Sequence, residues 1–282
     1  IMESTELKKL ISIWFEEDIR DGDHTSLSCI PATQMGCQQL IIKEEGILAG
    51  VEVAKEIIAY FDSECRMEQL LSDGAHVKPG DVAFRVYGKE LSLLQIERTM
   101  LNIMQRMSGV ATTAHRYQSL IADTNCHVLD TRKTTPGMRV LDKMAVKIGG
   151  GENHRIGLFD MILLKDNHID FAGGVRKAVL GAKEYLAAKG KNIPIECEVR
   201  TLEDIDEVFA AGGVDRIMFD NFSVEMTAEA VKRVAGRCQT ESSGGITLDT
   251  LRDYALTGVD FISVGALTHQ IKSLDMSLKA CE

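Results

Sequence analysis

Four basic side chains follow apolar segments of the chain, in positions where they could bind a small anion. Arg132 and Lys133 come after the apolar run 126–130, Lys165 follows the run 161–164, and Arg155 ends a glycine-rich segment. A guanidinium grips a carboxylate through two parallel hydrogen bonds. Any one of these residues alone is more often a surface ion pair, but several at neighbouring strand ends favour a ligand with two carboxylates.

The charge of the whole chain contrasts with this basic segment. The 282 residues carry a net charge of −10, which disfavours nucleic acid and anionic membranes as partners. Residues 131–165 nevertheless hold seven lysines and arginines against three acids, a net of +4. This segment therefore predicts a site for a small, multiply charged anion.

Two acids and two turns of small residues also follow apolar runs. Glu198 and Asp220 could hydrogen-bond sugar hydroxyls or bind a divalent cation, or they could simply balance the charge of the cations. Ser243-Gly244-Gly245 and Gly265-Ala266 could let backbone N–H groups approach a phosphate. Alternatively, both are tight turns that need glycine.

The segment 149–155 reads Gly-Gly-Gly-Glu-Asn-His-Arg and matches neither a P-loop nor a dinucleotide fingerprint. A flexible connection is its simplest interpretation, but His154 and Arg155 at its end favour an anionic partner. His154 and His168 are 14 residues apart and lack the spacing typical of zinc sites.

The elements that must position these residues alternate in the second half of the chain. Apolar runs lie at 126–130, 161–164, 193–199, 215–219, 238–242 and 260–264, with helical patterns at 175–188, 203–211, 224–235 and 247–256. This alternation predicts parallel strands with right-handed crossovers. Polar residues follow every run, which favours a closed or nearly closed (β/α) barrel over an open doubly wound sheet.

The first part of the chain has a different pattern. Helices are predicted over 5–19, 51–61 and 90–122, the last with a break at Gly109, and strands over 38–43, 46–49, 64–70 and 82–87. This mixture predicts an α+β domain.

The cysteines and the apolar segments indicate where the protein works. Seven cysteines, an odd number with no C-x-x-C pair, predict neither a disulfide framework nor a structural zinc site, and fit a reducing cytoplasm. A membrane-spanning helix needs about 18 consecutive apolar residues, and no apolar run in the chain is that long. The charged residues Glu6, Lys8 and Lys9 near the N-terminus are not typical of a signal peptide.

Four motifs resemble those of the quinolinate phosphoribosyltransferases: Asp130–Arg139, Gly149–Arg155, Leu164–His168 and Ser243–Ile246. The resemblance extends from Glu17 to Lys279. It implies an α/β protein with an N-terminal α+β domain at 1–113, joined by the tail 269–282. An open (β/α) barrel of the type II phosphoribosyltransferase kind, at 114–268, would carry the active site.

The resemblance also implies an activity. Quinolinate and 5-phosphoribosyl-1-pyrophosphate (PRPP) would give nicotinate mononucleotide, pyrophosphate and CO2 in de novo NAD biosynthesis. Mg²⁺ would accompany PRPP, and no organic cofactor is expected. The protein would be a homodimer or an assembly of dimers, with Arg98 of one subunit reaching the active site of the other.

The same resemblance gives roles to individual residues. The quinolinate site would contain Arg98, Arg132, His154, Arg155 and Lys165. The PRPP site would contain Lys133, Glu198 and Asp220, with Ser243, Gly244, Gly245, Val264, Gly265 and Ala266 around the phosphate. Lys133, Lys165, Glu198 and Asp220 would be catalytic, and Glu198 and Asp220 would also hold Mg²⁺. Glu196 would share the strand face of Glu198.

Three other functions remain open at this point. Lys165 at a strand end could form a Schiff base in an aldolase. A relative such as the molybdenum-transport-associated homologues could keep the fold without the activity, but its dicarboxylate-binding cations should be altered. An enzyme that acts on nicotinate would need fewer cations than this chain has.

Overall fold

The computed structural model describes residues 4–281, and the chain divides into two compact units. The first contains the residues up to Thr113, Val140–Gly149 and the residues from Ile271 onward, and the second contains Ala114–Arg139 and Gly150–Gln270. The sequence predicts a barrel domain that is continuous over 114–268, whereas 140–149 groups with the first unit.

The secondary structure is as follows. The helices are α1 (Ser4–Asp18), α2 (His24–Cys29), α3 (Val51–Phe61), α4 (Glu90–Ser119), α5 (Arg139–Ile148), α6 (Asp166–Ala172), α7 (Val175–Lys189), α8 (Leu202–Ala211), α9 (Val224–Val234), α10 (Leu248–Ala255) and α11 (Ala266–His269). The strands are β1 (Met35–Ile42), β2 (Gly46–Ile47), β3 (Arg66–Gln69), β4 (His76–Val77), β5 (Val82–Lys89), β6 (His127–Leu129), β7 (Ile162–Leu164), β8 (Ile195–Val199), β9 (Arg216–Asp220), β10 (Gln239–Ser243), β11 (Phe261–Ser263) and β12 (Met276–Ala280).

An antiparallel sheet with the order β12-β1-β5-β3 belongs to the first unit. Leu40 and Ile42, two residues apart on β1, are fully buried, as is Phe84 on β5, because alternate residues of a half-covered strand face the core. β12 pairs with β1 so that Ala280 lies opposite Gln38. The sequence does not predict β12 as a strand.

Cys37 and Cys281 form one disulfide, which the sequence analysis does not predict, since it expects no disulfide framework. Cys37 lies on β1, and Cys281 follows β12 and donates its N–H to the carbonyl of Cys37 at 2.9 Å. The two cysteines are 244 residues apart in sequence, and strand register brings them together. The number and spacing of the cysteines do not reveal which strands pair, so this disulfide could not be predicted from the sequence. Cys29, Cys65, Cys126, Cys197 and Cys238 are free.

Helix α4 runs through Gly109 without the predicted break. A Cβ at Gly109 would collide with the backbone of Lys272 and Ser273. The glycine is therefore present because a neighbouring chain segment approaches the helix closely, and not because the helix ends there.

The second unit is built on a six-stranded sheet with the order β6-β11-β10-β9-β8-β7. Each hydrogen-bonded pair in it is parallel. Strands β7 to β11 are neighbours in sequence order and β6 pairs with β11, so β6 and β7 form the two edges of the sheet. The predicted α/β fold and its six parallel strands are confirmed.

Local signals explain where the helices of this unit begin and end. The hydroxyl of Thr201 accepts a hydrogen bond from the N–H of Asp204 at 3.2 Å and caps α8. Gly190 ends α7 in the left-handed conformation, with φ of 60°. No helix in the described part of the chain is both long and apolar enough to cross a membrane.

Candidate active site

A cavity of about 650 Å³ lies at the carboxyl ends of the strands in the second unit. Its lining comes from the segments that follow β6, β7, β10 and β11, together with the segment around His154. Parallel strands place their carboxyl ends at one edge, and a barrel builds its active site there. The cavity therefore lies where the sequence predicts the anion site.

Five basic residues predicted from the sequence line this cavity: Arg132, Lys133, His154, Arg155 and Lys165. Arg155 is the most enclosed of the four lysines and arginines, with 9% of the residue exposed. Burial lowers the pKa of Arg155, and the positive charge of Arg132 lowers it further. Two positive charges held close together in a cavity repel each other. An anion bound between them would remove this repulsion and would therefore be stabilised there.

The glycine-rich segment is held in place by a buried acid, Asp130, just after β6. Asp130 accepts hydrogen bonds from the side chain of Asn153 at 2.6 Å and from the backbone N–H of His154 at 2.8 Å. Glu152 also pairs with Leu129 of β6 as a parallel bridge. These contacts argue against a flexible connection, because they fix the backbone that carries His154 and Arg155.

Glu198 and Asp220 end neighbouring strands, β8 and β9. Burial raises the pKa of Glu198, and the nearby carboxylate of Asp220 raises it further, to about 7. Two carboxylates that repel each other in this way favour a shared cation or shared hydroxyl donors. Glu198 also accepts a hydrogen bond from the N–H of Asp166 at 3.2 Å.

The turn of Ser243, Gly244 and Gly245 also lines the cavity. Gly244 has φ of 103°, and a Cβ there would collide with the side chain of Asn221, so glycine is needed at this position. Asn221 donates its N–H to the carbonyl of Ser243 at 2.9 Å and its side-chain amide to Asp220 at 3.2 Å. Asn221 thus joins the small-residue turn to the acid on β9.

The second small-residue turn, Val264-Gly265-Ala266, lies beside Lys133. A Cβ on Gly265 would approach the side chain of Lys133. The hydroxyl of buried Thr268 donates to the carbonyl of Lys133 at 2.8 Å and fixes its backbone. The two turns and Lys133 line one cavity, as the sequence predicts for a phosphate site.

The sequence prediction did not include a buried charged cluster next to the cavity, consisting of Glu196, Glu241 and Arg216. The imidazole Nε2 of His154 lies 2.9 Å from Glu196 and 3.1 Å from Glu241. Arg216 lies 3.5 Å from Glu241, and its guanidinium stacks on the ring of Phe261 at 4.3 Å. The signal that could have revealed the acids is a carboxylate inside an apolar strand, which is expensive unless paired.

The two buried acids titrate very differently. Burial and the charge of Glu241 raise the pKa of Glu196 to about 8. Burial also acts to raise the pKa of Glu241, but hydrogen bonds with His154 and Glu196 outweigh it and lower that pKa. For His154, burial lowers the pKa, whereas the two acids raise it to about 9.

The ligand atoms of His154, Glu196 and Glu241 lie within 4.8 Å of one another, close enough to surround a cation. Arg216 already supplies positive charge to both acids, at 3.5 Å from Glu241 and 4.0 Å from Glu196. The protein therefore balances this cluster with its own cation. Arg98, the remaining predicted site residue, lies exposed on α4.

Comparison with known proteins agrees with the motifs. The family model of the C-terminal domain of quinolinate phosphoribosyl transferase matches residues 110–279, and that of the N-terminal domain matches residues 23–108. The chain belongs to the quinolinate phosphoribosyltransferase family. This confirms the resemblance inferred from the four motifs.

Relatives of this family come from plants and bacteria. The chain is 43% identical to the chloroplastic nicotinate-nucleotide pyrophosphorylase [carboxylating] of Arabidopsis thaliana, over 97% of the chain and 82% of the relative. It is 41% identical to the probable nicotinate-nucleotide pyrophosphorylase [carboxylating] of Bacillus subtilis, over 98% and 94%. The solved nicotinate-nucleotide pyrophosphorylase of Francisella tularensis superposes with a TM-score of 0.92 at 40% identity, over 100% of the chain and 98% of that structure.

Proposed function

We propose that this chain transfers the phosphoribosyl group of PRPP to quinolinate and that the product loses CO2 to give nicotinate mononucleotide. The observation that carries the proposal is the single cavity in which cations and small-residue turns meet: Arg132, Arg155 and Lys165 together with the turns at 243–245 and 264–266. The cations suit a dicarboxylate and the small-residue turns suit a phosphate. The reaction needs quinolinate and PRPP side by side.

The cations suit quinolinate because it carries two adjacent carboxylates that repel each other. Removing such a dianion from water is expensive unless cations replace the solvent. Arg155 is enclosed and keeps its guanidinium at the cavity wall, while Arg132 and Lys165 are exposed there. Nicotinate has one carboxylate fewer and would leave part of this positive charge unbalanced.

The reaction itself needs orientation more than acid or base chemistry. Binding both substrates in one cavity places the quinolinate nitrogen against the anomeric carbon of PRPP, and orientation of this kind can lower a barrier by about 7–11 kcal/mol. Positive charge grows on the ribose as pyrophosphate leaves, and Glu198 or Asp220 would stabilise it. The ring nitrogen of the adduct is cationic, so it stabilises the negative charge left at the neighbouring carbon when CO2 departs.

Mg²⁺ is part of the proposal, with Glu198 and Asp220 as the residues that would hold it. Burial and the nearby carboxylate of Asp220 raise the pKa of Glu198, and carboxylate oxygens suit Mg²⁺. When bound, the ion supplies charge neutralisation for the departing pyrophosphate. Lys133, beside the turn at Gly265, would contribute positive charge to the same phosphates.

We further propose that the active unit is a homodimer, or an assembly of dimers, to which Arg98 of one subunit contributes at the site of the other. Exposed Arg98 on α4 is available for such a contact. A cytoplasmic location is also proposed: five of the seven cysteines are free, which fits a reducing compartment, whereas the Cys37–Cys281 disulfide does not. The plant relatives are named as chloroplastic or mitochondrial, so fractionation of the source cells is the direct test.

A product assay tests the proposed reaction. Purified protein with quinolinate, PRPP and Mg²⁺ should form nicotinate mononucleotide and CO2 in equal amounts, detected by mass spectrometry and by release of ¹⁴C from the labelled 2-carboxylate. Nicotinate should replace quinolinate poorly, and borohydride should not trap a carbonyl compound on Lys165. Equal turnover of nicotinate, or trapping on Lys165 without nucleotide formation, would contradict the proposal.

A further inference from the structure

His154 lines the cavity, yet protein groups lie against both of its ring nitrogens. Its side chain is only 7% exposed, and Nε2 points toward the buried carboxylates of Glu196 and Glu241. Its Nδ1 accepts a hydrogen bond from the backbone N–H of Arg155 at 2.7 Å. Both nitrogens therefore face protein groups, Nε2 the two acids and Nδ1 the amide, although the family resemblance places His154 at the quinolinate site.

The contact with the Arg155 amide determines where the imidazole proton lies. A nitrogen that accepts a hydrogen bond carries no proton, so the proton of His154 is on Nε2 and faces the two acids. A second proton, on Nδ1, would face the amide proton of Arg155 at 2.7 Å and leave that donor without its partner. The two acids raise the pKa of His154 and so favour an imidazolium, whereas the N–H of Arg155 occupies the side of Nδ1 and opposes it; we give the short amide contact the greater weight.

We propose that His154 is a positioning residue for Arg155, and that Glu241 is in turn the positioning residue for His154. A chain of contacts then runs from the barrel interior to the cavity: Arg216 to Glu241, Glu241 to His154, and His154 to the backbone of Arg155. The guanidinium of Arg155 at the end of this chain is the enclosed cation that meets the dicarboxylate. For the identity of that ligand, the inference rests on the proposed function.

The partners of His154 and Arg155 are themselves held in place. Glu241 is fully buried on β10, and the side chain of Arg216 is 11% exposed and held by Gln239 at 3.0 Å and by the Phe261 ring. At the other end, the guanidinium of Arg155 donates to the carbonyl of Met161 at 3.3 Å. Rigid partners at both ends fix the geometry between them, which is what a preorganised binding site needs.

Glu241→Gln tests the chain of contacts, because it removes the charge and keeps the shape. We expect the KM for quinolinate to rise about tenfold, since a weakened His154 contact loosens Arg155, while kcat and the KM for PRPP change less than about threefold. Ser242→Ala is the matched control, because Ser242 is buried on the same strand and its hydroxyl has no hydrogen-bond partner. A quinolinate KM within about twofold of wild type in Glu241→Gln would overturn the proposal.

Two His154 variants separate positioning from direct ligand contact. His154→Asn keeps an acceptor near the place of Nδ1, and His154→Leu keeps only bulk. We expect Asn to recover most of the quinolinate affinity that Leu loses, measured by calorimetry on the whole protein. Equal losses in both variants would overturn the proposal. If Glu241→Gln does not fold, the comparison of the two His154 variants still tests whether His154 positions Arg155.

The proton position is measured without any activity. In the ¹⁵N-histidine-labelled protein, with His154 identified through His154→Asn, we expect a protonated Nε2 and an unprotonated Nδ1 at neutral pH, unchanged by saturating quinolinate. Protonation of both nitrogens, or a stoichiometric metal ion in the purified protein, would overturn the proposal. Absence of nucleotide product in the wild type would instead contradict the proposed function, and the proton position would still be read.

Discussion

Asp142 on α5 is fully buried, and its carboxylate is bound by the guanidinium of Arg106 through two hydrogen bonds of 2.9 Å. Burial raises the pKa of Asp142, and the hydrogen bonds and charge of Arg106 oppose that rise. Breaking such a pair on one side leaves an uncompensated buried charge. The pair therefore stabilises the first unit only as long as both partners are present.

We predict that Arg106→Met lowers the free energy of unfolding by about 3–5 kcal/mol, because Asp142 then stays buried without its bidentate partner. Urea unfolding followed by circular dichroism measures the change. The double variant Arg106→Met with Asp142→Leu should recover most of the loss, since an apolar pair of similar volume needs no charge compensation. A double variant as unstable as the single one would show that packing, and not charge, causes the effect.

Arg155 gives a second prediction at the residue scale. Arg155→Ala should raise the quinolinate KM about 30-fold or more, because the dicarboxylate loses an enclosed cation. Arg155→Lys should recover only part of the affinity, since an ammonium lacks the planar fork of the guanidinium. Lys147→Ala is the control from the same basic segment, because Lys147 is exposed on α5. Wild-type kinetics in both Arg155 variants would refute the assignment.

The sequence predicts the cations of the site but not the acids beneath them. Arg132, Lys133 and Lys165 are visible because they follow apolar runs, and a strand end faces the cavity in a barrel. Glu196 and Glu241 lie inside such runs, and their pairing with His154 depends on which strands are neighbours and on the direction each side chain takes. The order of residues in the sequence does not show which strands are neighbours or where a side chain points.

At the scale of elements, periodicity predicts the second unit well. Each of the six apolar runs overlaps a strand, and α7 to α10 fall on the predicted helical patterns. The pattern fails for short elements such as α2 and β12, whose formation depends on a cap or a partner strand. Asp23 caps α2 by accepting from the N–H of Ser26 at 3.1 Å, and β12 depends on β1.

Two helical glycines give a matched pair of predictions. Gly→Ala usually stabilises a helix interior by about 1 kcal/mol. Gly181→Ala in α7 should do so, because a Cβ there meets no atom within 4 Å. Gly109→Ala in α4 should instead be destabilising by about 1–3 kcal/mol, since the added carbon overlaps the backbone of Lys272 and Ser273. Thermal unfolding of both variants measures the difference, and stabilisation by Gly109→Ala would contradict the close approach.

At the scale of the whole molecule, an acidic protein places four of its 32 lysines and arginines around one cavity. The net charge of −10 excludes few small ligands, but the basic residues that line the cavity restrict the site to anions. Of the basic segment 131–165, the cavity holds Arg132, Lys133, Arg155 and Lys165, whereas Lys143 is buried on α5. The functional part of the segment is therefore smaller than its total charge indicates.

The proposed sharing of active sites between subunits has a direct test in mixed dimers. Arg98→Ala and Arg155→Ala should each be nearly inactive alone. When the two are mixed and allowed to exchange subunits, half of the dimers are hybrids. Each hybrid has one site with both defects and one site with neither, so about a quarter of the wild-type activity should return. Mixing Arg132→Ala with Arg155→Ala should restore nothing, because both defects lie in the same subunit's cavity. No recovery in the first mixture, with subunit exchange verified by mass spectrometry, would show that Arg98 acts within its own subunit.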